Sequence, residues 1–223
     1  MGGGGHFVKN VLAEIPKYVR WIAVDYARGR GRSFSKEYWD TSYRSGKWDY
    51  LKELEQLGNR ALIAAYLRTL GPGTSVLELG CGEGLLLDEI QTTVANYVGV
   101  DISQEAVARA HDHAISAGFS FDWTFKEADF ETFQADELLD AIVFSESLYY
   151  ADTPRATLAR YFGFLKPSGI VIVSMYRYKN TKYVWKSLLS ECRAITGATV
   201  KNSKGQTWDV RVLVPKSSGR EGE

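Results

Sequence analysis

Val76-Leu77-Glu78-Leu79-Gly80-Cys81-Gly82-Glu83-Gly84 carries an apolar strand pattern into a glycine-rich turn, and the helical pattern Leu85-Leu86-Leu87-Asp88-Glu89-Ile90 follows at once. Glycines at such a turn take positive φ angles and let a ligand lie against bare backbone. The helix N-terminus beyond them offers unpaired N–H groups to an anion. The stretch therefore predicts a strand, a ligand-cradling loop over Gly80, Cys81, Gly82 and Gly84, and a helix over residues 84–93. Its spacing is Gly-x-Gly-x-Gly, whereas the dinucleotide fingerprint sets its third glycine one position later. Two acidic residues frame the loop: Glu78, two positions before the first glycine, and Asp101, which ends the next apolar run Tyr97-Val98-Gly99-Val100.

Outward from this stretch, strand and helix patterns alternate. Strands are expected at 75–79, 97–101, 121–127, 141–145, 169–175, 200–202 and 208–214, with helices at 51–70, 84–93, 104–118 and 154–165. That is the rhythm of an α/β fold with a parallel, doubly wound sheet. The last two strands flank the short turn Ser203-Lys204-Gly205-Gln206, so they form a hairpin and one of them runs antiparallel. The expectation is a Rossmann-like, seven-stranded, mostly parallel sheet with a C-terminal antiparallel hairpin, over residues 51–223. Residues 1–50 form a helical N-terminal extension.

In that extension, Phe7, Val8, Val11, Leu12, Ile15, Val19, Ile22 and Tyr26 recur at helical steps broken by Pro16, among the basic residues Lys9, Lys17 and Arg20. Packing on the domain or on a partner is the first reading of this pattern, and peripheral contact with a membrane surface the second. The segment Lys36 to Tyr50 holds Trp39, Trp48, Tyr38, Tyr43 and Tyr50, more aromatic surface than a solvated helix needs. Such side chains close over a ligand or pin the extension to the core.

The chain has 223 residues with 27 Lys and Arg against 27 Asp and Glu, so no long-range positive field gathers phosphate backbones, and a nucleic-acid partner is not expected. The two cysteines, Cys81 in the loop and Cys192 in a late helical segment, are too few for a disulfide framework or a metal cluster. No apolar run reaches membrane-span length, and the glycine run after Met1 lacks the regions of a signal peptide. A cytoplasmic monomer or homodimer is the expectation.

Glu78-Leu79-Gly80-Cys81-Gly82-Glu83-Gly84 followed by Val100-Asp101 resembles the class I S-adenosylmethionine-dependent methyltransferases. The resemblance implies that the loop backbone from Glu78 through Gly84 holds the methionine end of S-adenosylmethionine. Asp101 would take both ribose hydroxyls, with Ile102 as an apolar face for adenine, although Asp101 also reads as a helix N-cap that Ser103 would otherwise supply. Ala128-Asp129-Phe130 occupies the place where the family reads the adenine amino group. Trp39, Asp40, Tyr43, Gly46 and Trp48 are similar to the N-terminal region of thiopurine-type and sugar-modifying members, whose aromatics cover the cofactor.

The fourth strand ends in Ser145-Glu146-Ser147-Leu148-Tyr149-Tyr150, which would face the methyl group. Members that act on nucleic-acid bases carry Asn-Pro-Pro-Tyr here, and this wording resembles nodulation-type sugar N-methyltransferases instead. The implied acceptor is a hydroxyl or amino group of a small polar molecule, a saccharide among the candidates. Transfer to such a group needs alignment and a base. Glu146 is the candidate base, with Tyr149 and Tyr150 positioning the acceptor; packing and capping are the alternative roles of all three. His111 and His113 read as surface histidines on a helix covering the sheet. A non-catalytic cofactor-binding subunit and an NAD(P) oxidoreductase stay open as rival functions.

Overall fold

The computed structural model describes residues 26–178 and 180–216. Its strands are β1 (Thr74–Leu79), β2 (Val94–Asp101), β3 (Asp122–Glu127), β4 (Leu139–Ser145), β5 (Leu165–Tyr176), β6 (Cys192–Lys201) and β7 (Thr207–Pro215). They form one seven-stranded sheet in the order β3-β2-β1-β4-β5-β7-β6. The first five strands pair parallel, and β7 is antiparallel to both β5 and β6. The expected Rossmann-like sheet with its terminal hairpin is thus the observed one. Strand order reverses between β1 and β4, which puts the glycine-rich loop at the reversal, where open α/β sheets bind ligands.

The helices are α1 (Lys36–Arg44), α2 (Leu57–Arg68), α3 (Leu87–Ile90), α4 (Gln104–Ala117), α5 (Pro154–Tyr161) and α6 (Thr181–Leu188). Alternation along the buried strands divides the core. Val76, Ala141, Val143 and Ile172 face Ile63 and Leu67 of α2, with Ala110 and Ala114 of α4. Leu77, Ile142, Phe144 and Val173 face Leu158 and Tyr161 of α5, with Val184 and Leu188 of α6. Strands buried on both faces read as continuous apolar runs, which is why β4 and β5 were legible.

Several boundaries differ from the sequence reading. The helix expected over 84–93 is the single turn α3, because Thr92-Thr93-Val94 already leads into β2. The helix expected from residue 51 begins at Leu57, after 3₁₀ turns at Asp49–Lys52 and Leu54–Gln56, and α5 gives way to a 3₁₀ turn at Phe162–Phe164. Strand β6 starts eight residues before the expected one, and Cys192 opens it instead of lying in a helix. The β-branched residues Ile195, Thr196, Thr199 and Val200 favour extended backbone there. The amphipathic pattern of Phe7 to Tyr26, with Lys9, Lys17 and Arg20, lies outside the described residues except for Tyr26. Among the described residues no helix is long and apolar enough to cross a membrane.

Candidate active site

A cavity of about 1120 Å³ opens at the carboxyl edge of the sheet. The volume is ample beside the roughly 300–1,000 Å³ of small-molecule sites. Of the residues singled out in the sequence, Trp39, Tyr43, Trp48, Glu78, Gly80, Cys81, Gly82, Asp101, Ile102, Asp129, Phe130, Ser145, Glu146, Tyr149 and Tyr150 all line it. Gly84 does not. It is buried beneath the loop with φ +72°, where an added Cβ would stand 3.0 Å from the Phe125 ring and 3.4 Å from Ala110. Its bareness lets β3 and α4 pack under the loop, a structural role in place of the ligand contact expected for it.

The loop is held from both sides. Gly80 has φ +74°, and a Cβ on it would lie 2.4 Å from the Ser147 Cβ. The Ser147 hydroxyl donates to the Leu79 carbonyl at 2.5 Å, so the turn after β4 is clamped to the end of β1. On the other side, the Asp101 carboxylate accepts the Gly82 amide at 2.9 Å and the Ser103 amide at 2.9 Å. Ser103, not Asp101, caps α4: its Oγ accepts the Ala106 amide. With one N–H on each carboxylate oxygen, Asp101 keeps two lone-pair directions. Burial raises its pKa to about 6, against the pull of those amides.

Glu78 is 3% exposed and burial lifts its pKa to about 8, although the Tyr97 hydroxyl donates to it at 2.5 Å and Arg60 attracts it. Glu83 is paired with Lys52 and Arg109.

The aromatic segment closes one side of the cavity. Ser35 caps α1 by accepting the Tyr38 amide at 3.3 Å. Trp39 stacks on Trp48 with centroids 5.7 Å apart and meets Tyr150 edge-on at 4.9 Å. Tyr43 is buried, with its hydroxyl 2.9 Å from where a Gly82 Cβ would be. Asp40 accepts the Ser103 hydroxyl at 2.7 Å, which ties α1 to the start of α4. The indole Nε1 of Trp48 and the Nε of Arg60, both on cavity residues, are buried without a hydrogen-bond partner. Unpaired buried donors at a cavity wall call for an acceptor from a ligand.

At the end of β4, Glu146 sits at φ +58°, the one non-glycine with positive φ among the described residues. Such a conformation costs of order 1–3 kcal/mol and survives only where the surroundings enforce it. Here the Glu146 amide donates to the Ser174 carbonyl at 3.2 Å. Its carboxylate accepts the Ser174 hydroxyl at 2.6 Å, the Tyr176 amide at 2.8 Å and the Tyr149 hydroxyl at 3.1 Å. Burial pushes the Glu146 pKa up to about 7, opposed by these donors and by Trp208.

Several cavity residues escaped the sequence reading, among them Asn59, Arg60, Tyr176 and Trp208, whereas Tyr50 of the aromatic segment does line the cavity. Trp208 was derivable: β7 runs antiparallel to β5, and Trp208 pairs with Tyr176 at the carboxyl edge. Asn59 and Arg60 come from the first turn of α2, where no local signal marks them. His111 and His113 lie outside the cavity lining. The first packs edge-on against Trp123 and Phe125, and the second is 3.0 Å from Asp88, so both are partly buried rather than free on the surface.

A family profile described as a methyltransferase domain matches residues 70–213, well over half of the chain. The chain belongs to this methyltransferase family. Among curated relatives of the methyltransferase, the ubiquinone biosynthesis O-methyltransferase of Bradyrhizobium diazoefficiens is 32% identical over 132 residues, 59% of this chain and 48% of that protein. The chain spans about half the length of the curated relatives it matches. Its fold is similar to that of magnesium protoporphyrin IX methyltransferase (ChlM) from Synechocystis PCC 6803, solved with bound S-adenosylhomocysteine: TM-score 0.68 and 15% identity, covering 81% of this chain and 97% of that one. The N-methyltransferase NodS from Bradyrhizobium japonicum WM9, also solved with S-adenosylhomocysteine, gives TM-score 0.61 and 18% identity, covering 79% and 100%.

Proposed function

We propose that this chain transfers the methyl group of S-adenosylmethionine to a hydroxyl or amino group of a small polar acceptor, a saccharide among the candidates. The observation that carries the reading is convergence: the loop after β1, Asp101 after β2, Asp129 after β3 and Glu146 after β4 all line one cavity at the reversal of strand order.

The donor set fits the cofactor. Asp101 has lone pairs for two ribose hydroxyls, Ile102 and Phe130 offer apolar faces to the base, and Asp129 accepts from an amino group. The amides of Gly80, Cys81 and Gly82 already donate to the Val100 carbonyl and to Asp101, so the loop offers close approach to bare backbone, and the unpartnered Arg60 Nε is the donor for a carboxylate. Trp39, Tyr43 and Trp48 form the lid over this end, the role of the aromatic segment 36–50 toward the domain of 51–223. The cofactor supplies an activated methyl group on a sulfonium, a cation that aromatic faces attract.

The rest of the reaction is positioning and one proton. Glu146 is oriented by Ser174 and Tyr176, and at its raised pKa it exchanges protons near neutrality. Tyr149 and Tyr150 flank the acceptor. Transfer of a tritiated methyl group to pooled sugars, amines, phenols and peptides tests the assignment: labelled product from the sugar or amine pool supports it, and label confined to phenols or peptides overturns the acceptor.

A further inference from the structure

The cavity end around Glu146 has the composition of an ammonium site, and we propose that the acceptor is a small cationic amine, methylated on nitrogen. The inference rests on the methyl-transfer reading above and narrows its acceptor.

Three observations carry it. Five aromatic side chains, Tyr50, Tyr149, Tyr150, Tyr176 and Trp208, line the same cavity as the Glu146 carboxylate. Tyr149 donates to that carboxylate and lies 4.5 Å from Tyr150, and Tyr176 lies 5.6 Å from Trp208. Tyr50 lines the cavity with its ring 6.2 Å from Trp48, and burial, then the charge of Glu146, hold its pKa above the usual value. Aromatic faces around a carboxylate form the arrangement that recognises ammonium groups.

The charge balance agrees. With Glu78 set aside, since its pKa of about 8 leaves it largely protonated at neutral pH, six acidic residues line the cavity against two arginines, Arg32 and Arg60. Of the acids, Glu83 is offset by Lys52 and Arg109. Arg60 answers to Glu89, Asp88 and Glu78, on the β1 side, and Arg32 lies over the Phe34 ring at 4.8 Å. The groups acting on Glu146 are the hydroxyls, amide and indole of Ser174, Tyr149, Tyr176 and Trp208, none of them cationic.

The cage is built on other strands than the cofactor loop. The loop and Asp101 belong to β1 and β2, whereas Glu146, Tyr176 and Trp208 belong to β4, β5 and β7, across the reversal of strand order. A neutral sugar hydroxyl or phenol would bring no charge to these groups.

The chemistry balances. The bound ammonium gives a proton to the Glu146 carboxylate, and the freed lone pair forms the N–C bond to the methyl carbon. The S–C bond breaks with its electron pair left on sulfur, giving a neutral thioether and a methylated ammonium. Glu146 then releases its proton to water, so two cations enter and one ammonium and one proton leave.

The test uses the full chain saturated with S-adenosylhomocysteine and two matched pairs of probes: choline with its uncharged isostere 3,3-dimethylbutan-1-ol, and phenethylamine with 2-phenylethanol. Calorimetry should show the charged member of each pair binding at least tenfold more tightly. Tyr50→Leu, at an exposed position, should weaken the charged members severalfold and leave S-adenosylhomocysteine affinity unchanged. Tritiated methyl transfer to glucosamine should exceed transfer to glucose by more than tenfold. Equal binding within the pairs, or equal transfer to glucose, overturns the ammonium site while leaving methyl transfer standing. Failure of S-adenosylhomocysteine itself to bind removes the reading on which the inference rests.

Discussion

The Gly82 amide donates to the Asp101 carboxylate across 2.9 Å, so the acid that ends β2 fixes the loop that follows β1. Asp101 is therefore both a scaffold for the loop and a candidate ligand of the cofactor ribose. Asp101→Ala would leave two buried amides unpaired and cost about 1–3 kcal/mol of stability besides any loss of binding. Asp101→Asn keeps one of the two amide contacts and sets its NH2 group against the other N–H, so it should lose less stability than the alanine variant. It should bind S-adenosylhomocysteine roughly 10- to 100-fold more weakly, measured by calorimetry.

The same carboxylate predicts a pH dependence of binding. Ribose hydroxyls donate to the ionised form, and Asp101 titrates at about 6 in the fold. Affinity for S-adenosylhomocysteine should rise with pH through about 6 and level off above 7. An affinity that is flat from pH 5 to 8 would detach Asp101 from the ribose.

Stability should move the opposite way. Glu78, Glu146 and Asp101 have folded pKa values of about 8, 7 and 6, each above the usual carboxylate range because of burial. Between the unfolded and folded values the native state holds more protons than the unfolded chain, so stability falls as pH rises through that window. Each group contributes at most about 1.4 kcal/mol per pH unit there. Thermal melts of the unliganded chain should give a higher Tm at pH 5 than at pH 8.

Much of this site was legible because its residues end strands. An apolar run followed by Gly-x-Gly or by an acid marks the carboxyl edge of a parallel sheet, and Gly80, Asp101, Asp129 and Glu146 were found that way. Gly84 misled the reading, because a glycine that yields to a ligand and one that yields to Phe125 look alike in sequence. Asn59 and Arg60 were not legible, since their place depends on how the first turn of α2 packs across the loop. The left-handed Glu146 gives no sequence signal either, as its strain is enforced by Ser174 and Tyr176 from the neighbouring strand.

Glu146 as the base predicts an acid limb. With its pKa near 7, kcat/KM should climb about tenfold per pH unit below 7 and flatten above it. Glu146→Gln should lower kcat by about 10²- to 10⁴-fold with S-adenosylhomocysteine affinity retained. A variant with near-normal turnover would return Glu146 to a positioning role.

The aromatic lid predicts protection. Trp39 and Trp48 line the cavity stacked on each other, with α1 tied to Ser103 through Asp40, and the proposed function makes them its lid. Tryptic cleavage between Arg28 and Lys47 should slow several-fold on adding S-adenosylhomocysteine. Unchanged cleavage would leave the segment as packing.

The most direct test of the account is calorimetric titration of the chain at pH 7.5 with S-adenosylhomocysteine and, separately, with NADH. The cofactor reading predicts saturable one-to-one binding of S-adenosylhomocysteine, weakened in Asp101→Asn, and no binding of NADH. Binding of NADH without binding of S-adenosylhomocysteine would contradict it.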